Sequence, residues 1–221
     1  MPHRPKIRYA ISKRLKNSII SIIILLLVFL VGLDHSPARN KWRHLLRPQG
    51  QSAVYDVEKY NTKTFVVTKA VDGDTIDIAV SDGKNMFTRV RLLGVDTPET
   101  HDERTGVMYF GPQAAEFTAG LTAGKKVRVY LDTATGPARD KYGRLLAYVL
   151  LPDGRFLNDT LLNEGLAYAD LRFKHSRFYE YKQLETAARN SRKGLWKNVT
   201  RDQLPKWLQN ENPKLLLKKN S

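Results

Sequence analysis

Five short β-rich runs, one helix-patterned stretch between the third and fourth, and two more after the fifth predict an α+β domain, mainly β. The pattern fits a five-stranded OB-type Greek-key barrel with about three helices. An uncharged apolar run near the start of the 221-residue chain predicts an N-terminal hydrophobic anchor helix ahead of that domain. The third observation is charge. The net charge is +15, and residues 1–48 hold ten Lys/Arg against one acidic residue, a surplus of +9 that leaves +6 for the rest. A basic surplus on a folded domain favours a polyanionic partner, because surface potential concentrates opposite charge.

The elements follow in order. "MPHRPKIRYAISKRLKN" (1–17) holds six Lys/Arg and no acid, and reads as a basic cytoplasmic n-region. "SIISIIILLLVFLVGL" (18–33) has sixteen residues, between a signal h-region and a comfortable span, so it reads as a signal-anchor or a signal segment. Uncleaved, it tethers the chain with the domain outside the cytoplasm. Cleaved near Ser36-Pro37-Ala38, it leaves a secreted protein. Residues 34–62, with Pro37, Pro48 and Gly50 and no sustained period, read as a linker.

The domain is expected over 63–198. "TFVVTKAV" (64–71) and "DTIDIAV" (74–80) read as strands, the second with Ile76, Ile78 and Val80 alternating with polar residues. "SDGKN" offers a turn, and "MFTRVRLLGV" (86–95) returns as the third strand. "GPQAAEFTAGLTAG" (111–124) has Pro112 near its start and Gly124 past its end, which marks a helix. "KKVRVYLD" (125–132) and "GRLLAYVLL" (143–151) are the remaining strands. Two helices are expected over 157–167, with Asn158 or Asp159 as N-cap, and over 177–196, ending at Gly194. Residues 199–221 read as a basic, loosely attached tail. Cysteine is absent, which excludes disulfides, thiolate catalysis and Cys-type zinc sites and leaves the compartment open.

Three charged clusters break this pattern. "VDGDT" places Asp72, Asp74 and Thr75 between two strands. "RVRLLGVDTPET" ends a core-like strand in Arg91, Asp96, Thr97 and Glu99. "RDKYGR" brings Arg139, Asp140, Lys141, Tyr142 and Arg144 ahead of the fifth strand. Singly, each reads as a turn or a solvated loop. Together they supply what metal-assisted phosphodiester cleavage requires. A hard cation such as Ca²⁺ takes carboxylate and carbonyl oxygens, available from Asp74, Asp96 and the Thr97 backbone. Guanidinium groups meet charge growing on the phosphate. Glu99 is the spare acid for taking a proton from water. Strict alternation places Arg91 and Asp96 on opposite faces, so a break at Gly94 is expected to reset the parity.

The segments "KAVDGDTI", "RLLGVDTPET", "YFGPQAAEFT", "DKYGRLLAYV" and "LLNEGLA" occur in this order and closely resemble the staphylococcal nuclease family over roughly residues 65–197. The resemblance implies calcium ligation by Asp74, Asp96 and the Thr97 carbonyl, with Asp72 a nearby acid that does not ligate. It implies general-base action by Glu99, phosphate binding by Arg91 and Arg144, and nucleotide contact by Tyr142, beside which Lys141 is expected to bind substrate. It further implies cleavage of DNA and RNA with little sequence preference, leaving 3′-phosphates. "GLAYADLRFKH" departs from the family, with Leu171 and Phe173 where tyrosines line its base pocket and Lys174-His175 where it has Lys-Pro. Two alternatives stand beside the nuclease: a catalytically silent OB-fold nucleic-acid-binding module, and an envelope interaction protein. Retention of Arg91, Glu99 and Arg144 together favours the enzyme. His101 and His175 read as loop residues. No obligate protein partner is expected.

Overall fold

The computed structural model describes residues 49–101 and 106–216. The basic n-region, the apolar run 18–33 and the first part of the linker lie outside the described residues. Among the described residues no helix is long and apolar enough to cross a membrane.

A closed barrel of five strands, in the order β1-β2-β3-β6-β5, forms the body of the domain. β1 (Thr64–Asp72) closes it by serving two partners. Its first half pairs with β5 (Lys126–Tyr130), and its second half with β2 (Thr75–Ile78). Register shifts between Val67 and Lys69 and between Ala70 and Asp72 bend the strand, as bulges do. β2 pairs antiparallel with β3 (Thr88–Leu92), and β3 runs parallel to β6 (Leu145–Leu150), matching Val90 to Leu145 and Leu92 to Ala147. The alternation read from sequence becomes the inside of the barrel. Val67, Ile76, Ile78, Val90, Val129 and Leu145 are fully buried there. Burying each such side chain stabilises by about 1.5–3 kcal/mol.

α2 (Gly111–Thr122) lies over β1, and Gly124, in the left-handed region at φ 72°, ends it as expected. Thr118 Oγ1 donates to the Gly73 carbonyl at 2.6 Å, fastening this helix to the turn between β1 and β2. α3 (Leu157–Asn163) and α4 (Phe178–Asn190) pack on each other. Both are shorter than the ranges 157–167 and 177–196 suggest. Neither Asn158 nor Asp159 caps α3. Asn158 is instead wholly buried, accepting from Val149 N at 3.0 Å and donating to the Leu93 carbonyl at 3.0 Å. A buried amide that ties two strand ends together contributes more there than an exposed cap would.

Two segments differ from expectation. Within the stretch read as linker, Gln49–Tyr60 forms a helix, α1, whose last residue, Tyr60, is fully buried and hydrogen-bonded through its hydroxyl to Thr88 Oγ1 at 3.0 Å. Within the stretch read as tail, a 3₁₀ turn (Arg201–Gln203) leads into α5 (Lys206–Glu211). Leu204, Leu208 and Leu215 are buried there in a second cluster with Tyr168, Ala188, Leu195 and Trp196. Arg201 closes the segment by donating to the carbonyls of Gln209, Asn212 and Leu215. The segment 201–215 is thus packed against the domain.

Candidate active site

The turn "VDGDT" delivers two carboxylates because Asp72 ends β1 and Asp74 precedes β2. Asp74 is 2% exposed, and its oxygens are fully engaged. Oδ2 accepts from the Thr97 amide at 2.8 Å and from Thr97 Oγ1 at 3.0 Å, while Oδ1 accepts from Thr75 Oγ1 at 3.0 Å and pairs with Arg91. Arg91 stands on β3 opposite Thr75, so the hairpin register brings it over this turn. Its other terminal nitrogen pairs with Asp96.

That second pairing needs the parity break. β3 stops at Leu92, Gly94 turns the backbone at φ 76°, and β4 (Val95–Asp96) starts a two-stranded sheet with β7 (Tyr168–Ala169). Arg91 and Asp96 therefore meet, although an unbroken strand would part them. A side chain at position 94 would run into the His175 ring, so both dihedral angle and space require glycine. His175 does lie in a loop, but it is 4% exposed and bonded through Nδ1 to the Tyr148 hydroxyl at 3.0 Å. It supports Gly94 and does not face solvent.

Glu99 follows Pro98 in an extended segment that α2 presses from behind. A Cβ at Gly111 would strike the Glu99 carbonyl, and that carbonyl accepts from the Met108 amide at 2.9 Å. Thr100 Oγ1 donates to Asp72 Oδ1 at 3.1 Å, drawing this segment onto the first turn. Burial, and then the charges of Asp72 and Asp96, push the Glu99 carboxyl up to about 7, with Arg91 acting the other way.

The loop before β6 completes the arrangement. Asp140 Oδ1 accepts from the amides of Tyr142 and Arg144, both at 2.9 Å, and Oδ2 accepts from Arg144 Nε at 2.6 Å. Among the described residues the Nη nitrogens of Arg144 make no hydrogen bond. Tyr142 is 69% exposed, with the Lys141 ammonium 5.0 Å and the Arg144 guanidinium 5.4 Å from its ring centre. One cleft of about 990 Å³ gathers Asp72, Asp74, Arg91, Asp96, Glu99 and Arg144, with Lys141 and Tyr142 at the same opening. Thr97 stands behind it, 3% exposed. Of the site residues read from sequence, all but Thr97 line this cleft.

Two residues in contact with it carried no sequence signal. Trp207 of α5 donates its indole N–H to Asp96 Oδ2 at 2.8 Å. Arg172, which lines the cleft, is paired with Asp170 at 2.8 Å and lies 4.4 Å from the Trp207 ring centre. Conversely, Arg139 shares its motif with Arg144 but is spent on structure, bonding Asp56, Asp82 and the Gly143 carbonyl.

The donor set suits a hard cation. Asp72, Asp74, Asp96 and Glu99 are four of the seven carboxylates that line the cleft, no thiol exists in the chain, and the buried His175 bonds Tyr148 through Nδ1. Asp74 and Asp96 share one positive group, the Arg91 guanidinium.

A protein-family model described as "Staphylococcal nuclease homologue" matches residues 89–198. A thermonuclease of Staphylococcus hyicus is 38% identical over 139 residues, which span 62% of this chain and 78% of that relative. A thermonuclease of Staphylococcus intermedius is 45% identical over 107 residues, 48% of this chain and 60% of its own length. The endonuclease YncB of Bacillus subtilis is 36% identical over 130 residues, 58% of this chain and 59% of its own.

Proposed function

The chain belongs to the staphylococcal nuclease family and is a nuclease, and we propose that it is a Ca²⁺-dependent enzyme hydrolysing phosphodiester bonds of DNA and RNA with low sequence specificity. The observation that carries this reading is the convergence of Asp74, Asp96, Arg91, Glu99 and Arg144 on one cleft.

In this reading Asp74, Asp96 and the Thr97 carbonyl hold the cation, with Asp72 beside them. When bound, the cation supplies positive charge next to the scissile phosphate. Arg91 and Arg144 bind the equatorial phosphate oxygens, whose charge grows as water attacks. Arg144 is suited to this because Asp140 fixes its Nε and leaves the Nη groups to face substrate. Glu99 takes the proton from the attacking water, whose oxygen bonds to phosphorus while the bond to the 5′-oxygen breaks; that oxygen takes a proton from solvent and leaves as a hydroxyl, and the other product carries a 3′-phosphate. Tyr142 and Lys141 flank the bound nucleotide, and exposed Phe173 offers a face for stacking at the cleft mouth. Backbone-directed binding of this kind reads charge and not base edges, so it is indifferent to sequence. The basic flank and apolar run at 1–33 support an exported domain, tethered if the run stays uncleaved.

The test is hydrolysis of single-stranded DNA by the full-length chain in detergent, with Ca²⁺ and then with excess chelator. Expected are cleavage with calcium, loss with chelator, and loss in both Asp74→Ala and Glu99→Ala. Binding without cleavage in any divalent metal overturns the catalytic assignment, and undiminished cleavage in chelator removes the cation from it.

A further inference from the structure

Asp96 is held from two sides. Arg91 takes Oδ1 on the barrel side, and on the other the Trp207 indole N–H reaches Oδ2 at 2.8 Å across a separation of 111 residues. The indole is itself fixed. Its ring packs edge-on against Tyr168 at 6.5 Å between centres, the Arg172 guanidinium sits 4.4 Å from its centre, and the next residue, Leu208, is 4% exposed in the second cluster. Arg172 is locked by Asp170, with Nε and Nη2 each at 2.8 Å, and its Nη2 lies 3.5 Å from Asp96 Oδ2. An indole has one donor and no acceptor, so it can aim only a carboxylate oxygen here.

We propose that Trp207 is a positioning residue for the cation site, and that α5 is thereby a working part of the nuclease. This rests on the reading of Asp96 as a cation ligand. The Trp207 bond holds Oδ2 and, with Arg91 on Oδ1, fixes the plane of the carboxylate beside Asp74, so that Oδ1 is already in place when it exchanges Arg91 for the cation. A carboxylate without that bond must lose rotational freedom on binding, which weakens cation affinity. Outer partners of metal-binding carboxylates act in this manner, and their removal costs roughly 10–100-fold in affinity. Arg172 contributes by stacking on the indole, keeping its edge turned to Asp96, and its Nη2 is shared between Asp170 and, at 3.5 Å, Asp96 Oδ2.

The experiment titrates CaCl2 alone into the full-length protein by calorimetry, with no nucleic acid present, and compares Trp207→Phe and Asp96→Asn with the parent. Phenylalanine keeps an aromatic ring beside Tyr168 and Arg172 and removes the N–H donor, at the cost of one ring's worth of packing. The expected result is calcium affinity lowered roughly 10-fold or more in Trp207→Phe, with a melting temperature near that of the parent. Asp96→Asn tests the underlying reading separately. If Asp96→Asn binds calcium as the parent does, Asp96 is no ligand and the cation assignment fails. If Asp96→Asn loses affinity while Trp207→Phe keeps or gains it, the positioning role alone is overturned. A Trp207→Phe chain too unstable to titrate is replaced by Arg172→Lys, which keeps a positive charge beside Asp96 and loses the planar stack on the indole. Unchanged affinity there, with Asp96→Asn impaired, also overturns the role.

Discussion

Arg139 and Arg144 stand five residues apart in one motif, and the structure separates them sharply enough to predict opposite phenotypes. Arg139 makes bonds to Asp56 at 2.7 Å through both Nε and Nη2, to Asp82 at 2.6 and 3.3 Å, and to the Gly143 carbonyl at 2.9 Å. The Asp56 side chain is 3% exposed and the Arg139 side chain 14%. Arg139→Ala strands a buried carboxylate on α1, and breaking such a pair by removing one partner costs about 3–5 kcal/mol. For a folded unit of this size each kcal/mol lowers the melting temperature by about 2–4 °C, so the fall should be roughly 6–20 °C. Thermal unfolding followed by circular dichroism measures it. Nuclease turnover, assayed well below the lowered transition, should match that of the parent, because none of the five bonds points to substrate. Asp56→Asn in the Arg139→Ala background should recover part of the loss by removing the unpaired charge. A drop below about 2 °C, or a turnover defect in folded Arg139→Ala comparable to that of Arg144→Ala, refutes the division of labour.

Arg144→Ala should leave nucleic-acid binding largely intact and lower kcat by roughly 10²–10⁵, read from single-turnover cleavage against a filter-binding Kd. Gly111→Ala forces a methyl against the Glu99 carbonyl and should cut kcat by about 10-fold or more through misplacement of Glu99, with a smaller effect on substrate Kd. Glu185, 4% exposed on α4, is pushed up to about 7 by burial. Its unfolded value is 4.5, so the folded chain holds the proton more tightly, and stability falls as pH rises from that value through about 7. The loss by pH 8 is roughly 3 kcal/mol. Glu185→Gln should remove this slope in denaturant titrations across pH 5–8, and an unaltered slope assigns it elsewhere.

The barrel was legible because apolar and polar residues alternate in sequence around Ile76, Ile78 and Val90, which are buried, and because turns at Gly83 and Gly154 use residues suited to φ of 61° and 84°. The site was legible because its acids and arginines sit in three short motifs that occur together, with Arg91 on β3 opposite Thr75 and Asp96 and Glu99 just beyond the break at Gly94. α1 was hidden for a different reason. Its exposed Val54 (61%) and Tyr55 (55%) blur the amphipathic pattern, while its attachment runs through Tyr60 and the Asp56–Arg139 pair. Trp207 was invisible because its one polar bond crosses 111 residues and no local period announces it. Long-range single contacts leave no trace in a sliding window.

The parallel pairing of β3 with β6 has a consequence in time. Parallel neighbours need a long crossover, and here that crossover carries α2, β5 and the whole Arg139–Arg144 loop. A chain made from its N-terminus releases Asp72 through Glu99 as one group, yet the barrel wall beside Arg91 is missing until Leu145–Leu150 has emerged. Arg144 arrives only then, and the indole that braces Asp96 comes later still, near the end of the chain. The cutting surface is therefore assembled last.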